Sequence, residues 1–146
     1  MKLEFVKLTA TACDPIFAHV GDACFDLRAD IREPLSIRPG ETALIHTGLA
    51  FNTPVGWKIL IHSRSGHGSK NGIRLANCTG VVDAGYRGEA MVALHNDHPF
   101  DTFTISPGDR IAQAALERVE PVTLVEASVL DTTERGTNGL GSTGVK

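Results

Sequence analysis

The stretch from 42 to 62 decides the fold: Thr42-Ala43-Leu44-Ile45-His46-Thr47, then Pro54-Val55-Gly56, then Lys58-Ile59-Leu60-Ile61-His62. The runs 42–47 and 58–62 are short, rich in Ile, Leu and Thr, and bounded by turn-forming residues such as Pro54 and Gly56. Similar runs follow at Ala90-Met91-Val92-Ala93-Leu94-His95, Phe103-Thr104-Ile105 and Val122-Thr123-Leu124-Val125. Short strands at this spacing, punctuated by Gly and Pro, predict an all-β sandwich or barrel.

Helical patterning is scarce, so we expect at most one short helix. Gly68-Ser69-Lys70-Asn71-Gly72 could carry a short helical turn. Residues 110–116 could form a helix on propensity alone. However, Pro107-Gly108-Asp109 before them is typical of a hairpin turn, and residues 117–120 alternate as a strand does. We therefore favour a strand there.

Composition limits the possible functions. The 146 residues suit one ordinary domain, and the net charge of −3 gives no basic footprint for nucleic acid. No apolar window approaches the roughly 20 residues of a membrane span, and the N-terminus lacks a secretory apolar region, so we expect a cytoplasmic protein. Three cysteines without CxxC spacing predict small buried hydrophobes rather than disulfides or zinc ligands. The six histidines show no metal-ligand spacing. His95 and His98 are three apart, but Asn96-Asp97-His98-Pro99 is typical of a turn, which favours polar surface residues over a metal pair.

Two polar clusters lie in the first half of the chain. Asp26 stands between Phe25 and Leu27, so on a strand it would point away from them, either into a site or simply into solvent. The loop 62–68 (His-Ser-Arg-Ser-Gly-His-Gly) combines a guanidinium, hydroxyls and glycines. These groups could cradle an oxyanion, although Arg-Ser-Gly is also common in ordinary turns.

Three further clusters follow. In residues 77–89 a strand runs into Asp83 beside Tyr86, the only tyrosine, which suits a general base next to a flat ligand-packing ring or else a plain hairpin. In residues 107–113 we expect Asp109 to cap the turn, Arg110 to pair locally and Gln113 to project from a strand. Residues 135–144 combine a cation, hydroxyls and free backbone donors, as in an anion-binding loop or a frayed end.

Together the five clusters, in this order and spacing, resemble the five motifs of the trimeric dUTPase family. The most specific stretches are 80–88 (Gly-Val-Val-Asp-Ala-Gly-Tyr-Arg-Gly), 108–113 (Gly-Asp-Arg-Ile-Ala-Gln) and the glycine-rich 135–144. The resemblance implies a jelly-roll-like distorted barrel, the dUTPase-like β-clip, over residues 1–134. It also implies a homotrimer with active sites between subunits, where a flexible tail, 135–146, closes over a neighbour's site.

The resemblance further implies Mg²⁺-dependent hydrolysis of dUTP to dUMP and pyrophosphate, which clears dUTP and supplies dUMP for dTMP synthesis. Asp83 would be catalytic, directing water at the α-phosphorus. The sugar and uracil would contact Asn77, Gly80, Val82, Tyr86 and Leu140. The phosphates would contact Arg64, Ser65, Gly66, Gln113, Arg135, Gly141, Ser142 and Thr143. Asp26 and Asp109 would have supporting roles, and phosphates and water, rather than protein side chains, would hold Mg²⁺.

Two positions depart from the family pattern. Gly85 replaces a second Asp found in many members, and Leu140 replaces the usual tail Phe, which loses aromatic stacking worth on the order of 1 kcal/mol. The nearest rival is a dCTP deaminase, or a bifunctional dCTP deaminase/dUTPase. That activity needs a Glu about ten residues past Asp83, where this chain has Ala93. A non-catalytic regulatory β-module is a rival of another class, which retention of Asp83 and Tyr86 disfavours.

Overall fold

The fold is almost entirely β. A computed structural model describes residues 1–139 and 142. Within them the chain forms eleven strands and one helix. The elements are β1 Glu4–Lys7, β2 Phe25–Arg28, β3 Leu35–Ile37, β4 Thr42–Ile45, β5 Leu49–Asn52, β6 Trp57–His62, α1 Ser65–Asn71, β7 Ile73–Leu75, β8 Gly80–Val82, β9 Val92–Asn96, β10 Phe103–Ile105 and β11 Arg110–Arg118. This confirms the predicted all-β class with one short helix.

The strands pair antiparallel in four sheets. The largest has the order β2-β11-β6-β8, a second has the order β4-β9-β7, and β1-β5 and β10-β3 form two-stranded sheets. None of these sheets closes on itself within the described residues. The barrel-like character expected from the sequence therefore comes from sheets that pack around a shared core.

The core follows the two-residue period of the strands. In β6, Ile59 and Ile61 are buried while the residues between them are only partly covered, and β11 buries Ala112 and Ala114 in the same way. Burying each Leu or Ile side chain contributes about 1.5–3 kcal/mol. The largest fully buried side chains are Leu27, Ile37, Ile45, Leu49, Ile59, Ile73, Leu75, Leu94, Ile105, Ile111, Val92 and Asn96.

The ambiguous segment 110–116 is part of a strand, as predicted. The strand β11 pairs with β2 on one side and with β6 on the other. Two ladders of backbone hydrogen bonds outweigh the modest helix propensity of this sequence. The helix begins at Ser65, three residues before the turn expected at 68–72, and ends at Asn71. Gly72 follows as its C-cap, with the left-handed φ of 65°.

Two expectations about side chains and strands are wrong. Val122–Val125 was expected to form a strand, but residues 121–127 carry none, and Val122, Leu124 and Val125 are exposed. A strand needs a ladder partner, and no strand of the described chain pairs with this segment. Cys78 was expected to be buried but is exposed, in a tight turn at φ 62°.

The other two cysteines, Cys13 and Cys24, are half-buried, and all three are free. Within residues 1–139 and 142, no helix has the length and apolarity needed to cross a membrane.

Candidate active site

A row of polar side chains crosses the largest sheet on the face away from the core. In the register, Gln113 of β11 lies beside Asp26 of β2 and also beside His62 of β6. Asp26 and Gln113 are each flanked in their strands by buried residues, and His62 follows the buried Ile61, so all three point to the same outer face. The sheet therefore brings together residues that are distant in the chain: Asp26 and Gln113 are 87 positions apart.

A β-bulge adds a cation to this row. The register of β11 against β2 shifts between Arg110 and Ala112, so Ile111 is an extra residue. Ile111 and Ala112 are both buried in succession. Without the bulge, Arg110 and Gln113 would face opposite sides of the sheet; with it, both line the same cavity.

Arg110 does not pair locally, so that expectation is wrong. Its Nη1 lies 3.2 Å from Asp26 Oδ2, and Arg64 Nε lies 3.6 Å from Asp26 Oδ1. The Asp26 side chain is only 12% exposed, which strengthens both attractions. The bulge could have been suspected from the consecutive apolar pair Ile111-Ala112.

These groups line a cavity of about 350 Å³, which we call the charged pocket. Its walls are Ala18, Asp22, Ala23, Cys24, Asp26, Arg64, Ser65, Gly66, Arg110 and Gln113. The structure thus gathers the predicted residues Asp26, Arg64, Ser65, Gly66 and Gln113 in one place. Burial, with the charges of Glu117, Asp22 and Asp26, raises the pKa of the Cys24 thiol, so this cysteine stays protonated and is a poor nucleophile.

The loop carrying Arg64 is held against β11. Arg64 Nη1 donates to the Arg110 carbonyl at 3.2 Å, and His67 Nε2 lies 2.8 Å from the same oxygen. A carbonyl can only accept, so His67 Nε2 carries the proton and cannot also accept from Arg64, although the two nitrogens are 3.2 Å apart. Arg64 is extended at the N-cap of α1 with no side-chain cap, which leaves first-turn N–H groups of the helix free to bind an anion.

Asp109 caps its turn, as predicted. Asp109 Oδ2 accepts a hydrogen bond from the Ser106 N–H at 2.8 Å. Arg28 Nη1 donates to the Gly108 carbonyl at 2.8 Å, which ties the turn to β2. Asp109 therefore supports the bulged start of β11 and lies outside the lining of the charged pocket.

Asp83 follows the last residue of β8 and starts a hydrogen-bonded turn. We call residues 83–88 the Asp83 hairpin for its shape, although β8 pairs with β6 and not with the strand that follows. The Asp83 side chain is exposed, and its carbonyl accepts from the Tyr86 N–H at 3.1 Å. Arg87 Nη1 donates to the carbonyls of Ala84 and Tyr86, at 2.6 and 2.9 Å. The hairpin is thus closed on itself and presents its carboxylate to the surface.

Tyr86 lies across Gly88. Its hydroxyl donates to the Glu89 carbonyl at 3.0 Å, and a Cβ at position 88 would lie 2.5 Å from that hydroxyl. Only glycine fits beneath the ring. Tyr86 as a residue remains 44% exposed, so it is available to a ligand.

The turn before β8 carries Asn77, which is exposed. Gly80 packs against Ile61, where a Cβ would come within 3.1 Å of the isoleucine Cβ. Val82 is only 5% exposed, so its side chain belongs to the core. A ligand could contact Val82 only through its backbone. The substrate contact predicted for Val82 is therefore limited to its N–H and C=O groups.

The Asp83 hairpin and the charged pocket lie at opposite ends of the β6-β8 pair. Ile61 lies opposite Gly80, and Ile59 lies opposite Val82. Asp83 follows Val82 at one end of this strand pair, whereas Arg64 lies three residues beyond Ile61 at the other end. The separation is about six residue positions, on the order of 20 Å at about 3.3 Å per residue. One copy does not bring the predicted catalytic and phosphate residues together.

Two of the predicted tail contacts, Arg135 and Ser142, lie within the described residues. Arg135 Nε donates to the Asn138 carbonyl at 3.0 Å, and the Ser142 N–H donates to the Gly139 carbonyl at 2.9 Å. Both side chains belong to a shallow cavity of the tail itself. The predicted contacts at Leu140, Gly141 and Thr143 lie outside the described residues.

Metal-ligating side chains are sparse. Among residues 1–139 and 142, no three His, Cys, Asp or Glu side chains lie close enough to hold a metal ion. The carboxylates that line the charged pocket are Asp22 and Asp26, and the latter is already paired with arginines.

Comparisons with known proteins agree on one family. The profile of the dUTPase family matches residues 11–144. A Nocardia farcinica protein named deoxyuridine 5'-triphosphate nucleotidohydrolase is 48% identical over 130 residues, which are 89% of this chain and 78% of that protein.

Solved structures give the same result. A mutant of the Staphylococcus bacteriophage 80alpha dUTPase with dUpNHpp superimposes with a TM-score of 0.87, at 29% identity and 99% coverage of both chains. A mutant dUTPase from phage phi11 of S. aureus, described with a structural Mg(II) ion, gives a TM-score of 0.79 at 25% identity, covering 88% of this chain and 98% of that one.

Proposed function

The chain belongs to the dUTPase family and hydrolyses dUTP to dUMP and pyrophosphate, and we propose that Asp83 directs the attacking water in a site that two copies of the chain build together. The observation that carries this proposal is the exposed carboxylate of Asp83, at a strand end beside the half-exposed ring of Tyr86.

Asp83 is suited to act as a general base. Its backbone is fixed by β8 on one side and by the hydrogen bond from Tyr86 on the other. Its carboxylate can therefore hold a water in line with the α-phosphorus while contacting the deoxyribose 3′-OH. Such positioning, with proton transfer, contributes typically 10²–10⁴-fold to a rate.

Tyr86 would form the floor of the sugar site. The flat ring held over Gly88 would leave no room for a 2′-OH, and so would exclude ribonucleotides. Uracil would be read by backbone groups of the turn from Asn77 to Gly80 and of Val82, whose side chain faces the core. Unpaired polar groups and steric clashes would reject cytosine and thymine.

The charged pocket would bind the triphosphate. Arg64 offers a guanidinium, Ser65 a hydroxyl and Gly66 an open approach to the backbone, and Gln113 projects into the same cavity. Arg110 belongs to this set, because its bulge places it on the same face. Positive groups that are already oriented stabilise the charge that develops on the phosphates.

We propose that a second copy supplies the Asp83 hairpin to each charged pocket. The separation on the order of 20 Å along the sheet prevents one copy from holding both ends of one triphosphate. Closed rotational symmetry would then give one site per interface, and a homotrimer fits the family resemblance. The exposed apolar side chains of Val122, Leu124 and Val125 are further surface that assembly could cover.

The tail 135–146 would close over a neighbouring site. Arg135, Ser142 and Thr143, with Gly141, would hold the terminal phosphate, and Leu140 would cover the base. Ligand-driven closure of such a segment excludes water from the reaction. We place the enzyme in the cytoplasm, because three free cysteines suit a reducing compartment.

Mg²⁺ fits the charged pocket as an ion carried by the substrate. Two lining carboxylates, one of them paired with arginines, are too few for a protein cage, and this ion commonly binds through phosphates and water. When bound, it neutralises phosphate charge. Asp26, held by Arg64 and Arg110, would accept a hydrogen bond from a water of that ion.

The deaminase alternative lacks its proton shuttle. Ala93 stands on β9 where a glutamate would be needed, and its backbone is paired opposite Leu44. No described carboxylate replaces it on that strand, whose sequence is Val-Ala-Leu-His-Asn.

A release assay tests the proposal. Pyrophosphate would be measured with dUTP, dTTP, dCTP and UTP, for wild type and Asp83→Asn, with ammonia measured in the dCTP reaction. We expect turnover of dUTP alone, and a loss of about 10³-fold in kcat for the variant with retained binding of a non-hydrolysable dUTP analogue. Full activity of Asp83→Asn, or ammonia from dCTP, would contradict the proposal.

A further inference from the structure

Glu89 is the residue immediately after the Asp83 hairpin, and its side chain is bound to another part of the fold. Its carboxylate accepts from the Gly48 N–H at 2.7 Å, the Thr47 N–H at 3.0 Å and His46 Nδ1 at 2.7 Å. A carboxylate has no proton to give, so His46 carries its proton on Nδ1. All three donors lie in the turn between β4 and β5.

The backbone on either side reinforces this attachment. The Ala90 N–H donates to the Leu49 carbonyl at 2.8 Å, and Thr47 Oγ1 donates to the Ala90 carbonyl at 2.7 Å. The Glu89 side chain is 19% exposed, and Thr47 is fully buried. The end of the hairpin is therefore fixed to the β4-β5 turn by five hydrogen bonds, three of them to one carboxylate.

The receiving turn has little freedom to adapt. Gly48 has φ 65°, and a Cβ there would clash with Asp30 Oδ2 and would lie 2.6 Å from Ala12 Cβ. Asp30 and Ala12 therefore pack closely against the glycine backbone and limit its movement in that direction. The position of Glu89 is thus set from outside the hairpin.

Glu89 in turn sets Tyr86. The Tyr86 hydroxyl donates to the Glu89 carbonyl at 3.0 Å, and the ring lies on Gly88. Any displacement of the Glu89 backbone moves the acceptor that orients the ring. A shift of about 1 Å in a positioning group can cost as much as 100-fold in rate.

We propose that Glu89 is a positioning residue that sets the selectivity of the enzyme for deoxyribonucleotides, by fixing the Tyr86 ring through the β4-β5 turn. This inference rests on the sugar-binding role proposed for Tyr86. The carboxylate acts through Tyr86 and does not touch the substrate itself.

The test compares kcat/KM for dUTP and UTP in wild type, Glu89→Gln and Asn96→Ala. The glutamine keeps the shape but offers one acceptor oxygen to donors that need two. Asn96 is a matched control, since its buried side chain also makes three hydrogen bonds at 2.9 Å, to Ile37, His98 and Asp101, away from the hairpin. We expect Glu89→Gln to lower the dUTP/UTP ratio by about tenfold. Asn96→Ala should lower the melting temperature and leave that ratio unchanged.

The outcomes separate the two claims. If wild type does not hydrolyse dUTP, the proposed function fails. If wild type rejects UTP and Glu89→Gln rejects it equally, only the role of Glu89 is overturned. If Glu89→Gln does not fold, His46→Ala, which removes the one donor that is largely exposed, must lower the ratio in the same direction; an unchanged ratio there overturns the proposal as well.

Discussion

The charged pocket and the Asp83 hairpin differ in how far one copy of the chain completes them. In the charged pocket, Asp26 is balanced by Arg64 and Arg110, and three strands fix the arrangement. In the hairpin, the backbone is closed by its own hydrogen bonds, but the Asp83 carboxylate and the Tyr86 ring face outward. Under the proposed function, the first would bind phosphates with groups of one copy, and the second would need an opposing surface to act on a substrate.

This contrast teaches that chemistry and binding can be separated within a small domain. The Asp26 carboxylate lies between the guanidinium groups of Arg64 and Arg110, so their charges offset one another within one copy. The pocket therefore does not need a ligand to compensate a buried, unpaired charge. The hairpin carries a single exposed carboxylate, which costs little to leave in water. In the proposed assembly, a second copy would bring the two together.

Mixing two inactive variants gives the largest expected effect. Asp83→Asn and Arg64→Ala should each be nearly inactive alone. If every site takes Asp83 from one copy and Arg64 from another, random reassembly of equal amounts should restore about one site in four. Pyrophosphate release would be followed after the two are denatured and refolded together, with each variant refolded alone as the control. Activity no greater than the sum of the controls would mean that both residues serve the same copy's site.

Replacing Arg110 tests whether this residue contributes to substrate binding in the charged pocket. Arg110→Ala leaves Asp26 with one arginine at 3.6 Å and deletes a charged group from the cavity wall. A hydrogen bond to a charged group contributes about 1.5–3 kcal/mol, so we expect KM for dUTP to rise at least about tenfold. Steady-state kinetics would be compared with Arg118→Ala, at the exposed far end of the same strand. Equal KM values in the two variants would show that Arg110 only fills space.

Acid should weaken the anchor of the hairpin. Burial acts to raise the pKa of Glu89, but the hydrogen bonds from His46, Gly48 and Thr47 outweigh it and hold the pKa below its usual range. A lowered folded-state pKa means that this stabilisation is complete above the unfolded value of about 4.3 and is lost as the pH falls through the folded value.

Thermal unfolding of wild type and Glu89→Gln between pH 7 and pH 3 measures this effect. Glutamine does not titrate, and it should cost about 1–3 kcal/mol at neutral pH. The difference in melting temperature should hold steady down to about pH 5 and then shrink. A constant difference down to pH 3 would refute the pH dependence.

Replacing Leu140 should have the smallest effect. Leu140→Phe restores an aromatic side chain over the base, and stacking is worth on the order of 1 kcal/mol. We expect dUTP-analogue affinity to rise about fivefold, with turnover on dUTP changing less. Fluorescence titration and stopped-flow kinetics would measure both, with Leu130→Phe, an exposed position before the tail, as the control. Equal affinity and turnover in wild type and Leu140→Phe would show that the tail does not use stacking.

Local patterns were sufficient for the strands that lie in a ladder. The runs at 42–47, 58–62 and 103–105 each contain a strand, because their alternation and turn-formers coincide with a partner strand that pairs with them. The same pattern at 122–125 failed, because a strand also needs a partner and no strand within the described chain provides one. A propensity cannot tell which segments find a partner.

The residues of the candidate site likewise fall into those that the sequence predicted and those that only the tertiary structure brought together. The sequence by itself determined which residue types are present and in what order, and so predicted the carboxylate at the end of β8, the loop with Arg64 and the strand with Gln113. Only the tertiary structure decided that Arg110 joins Asp26, because one bulged residue reverses the face of a side chain. It alone also decided that Glu89 anchors the hairpin and that Asp83 lies far from Arg64, since these relations depend on register between strands that are distant in the chain.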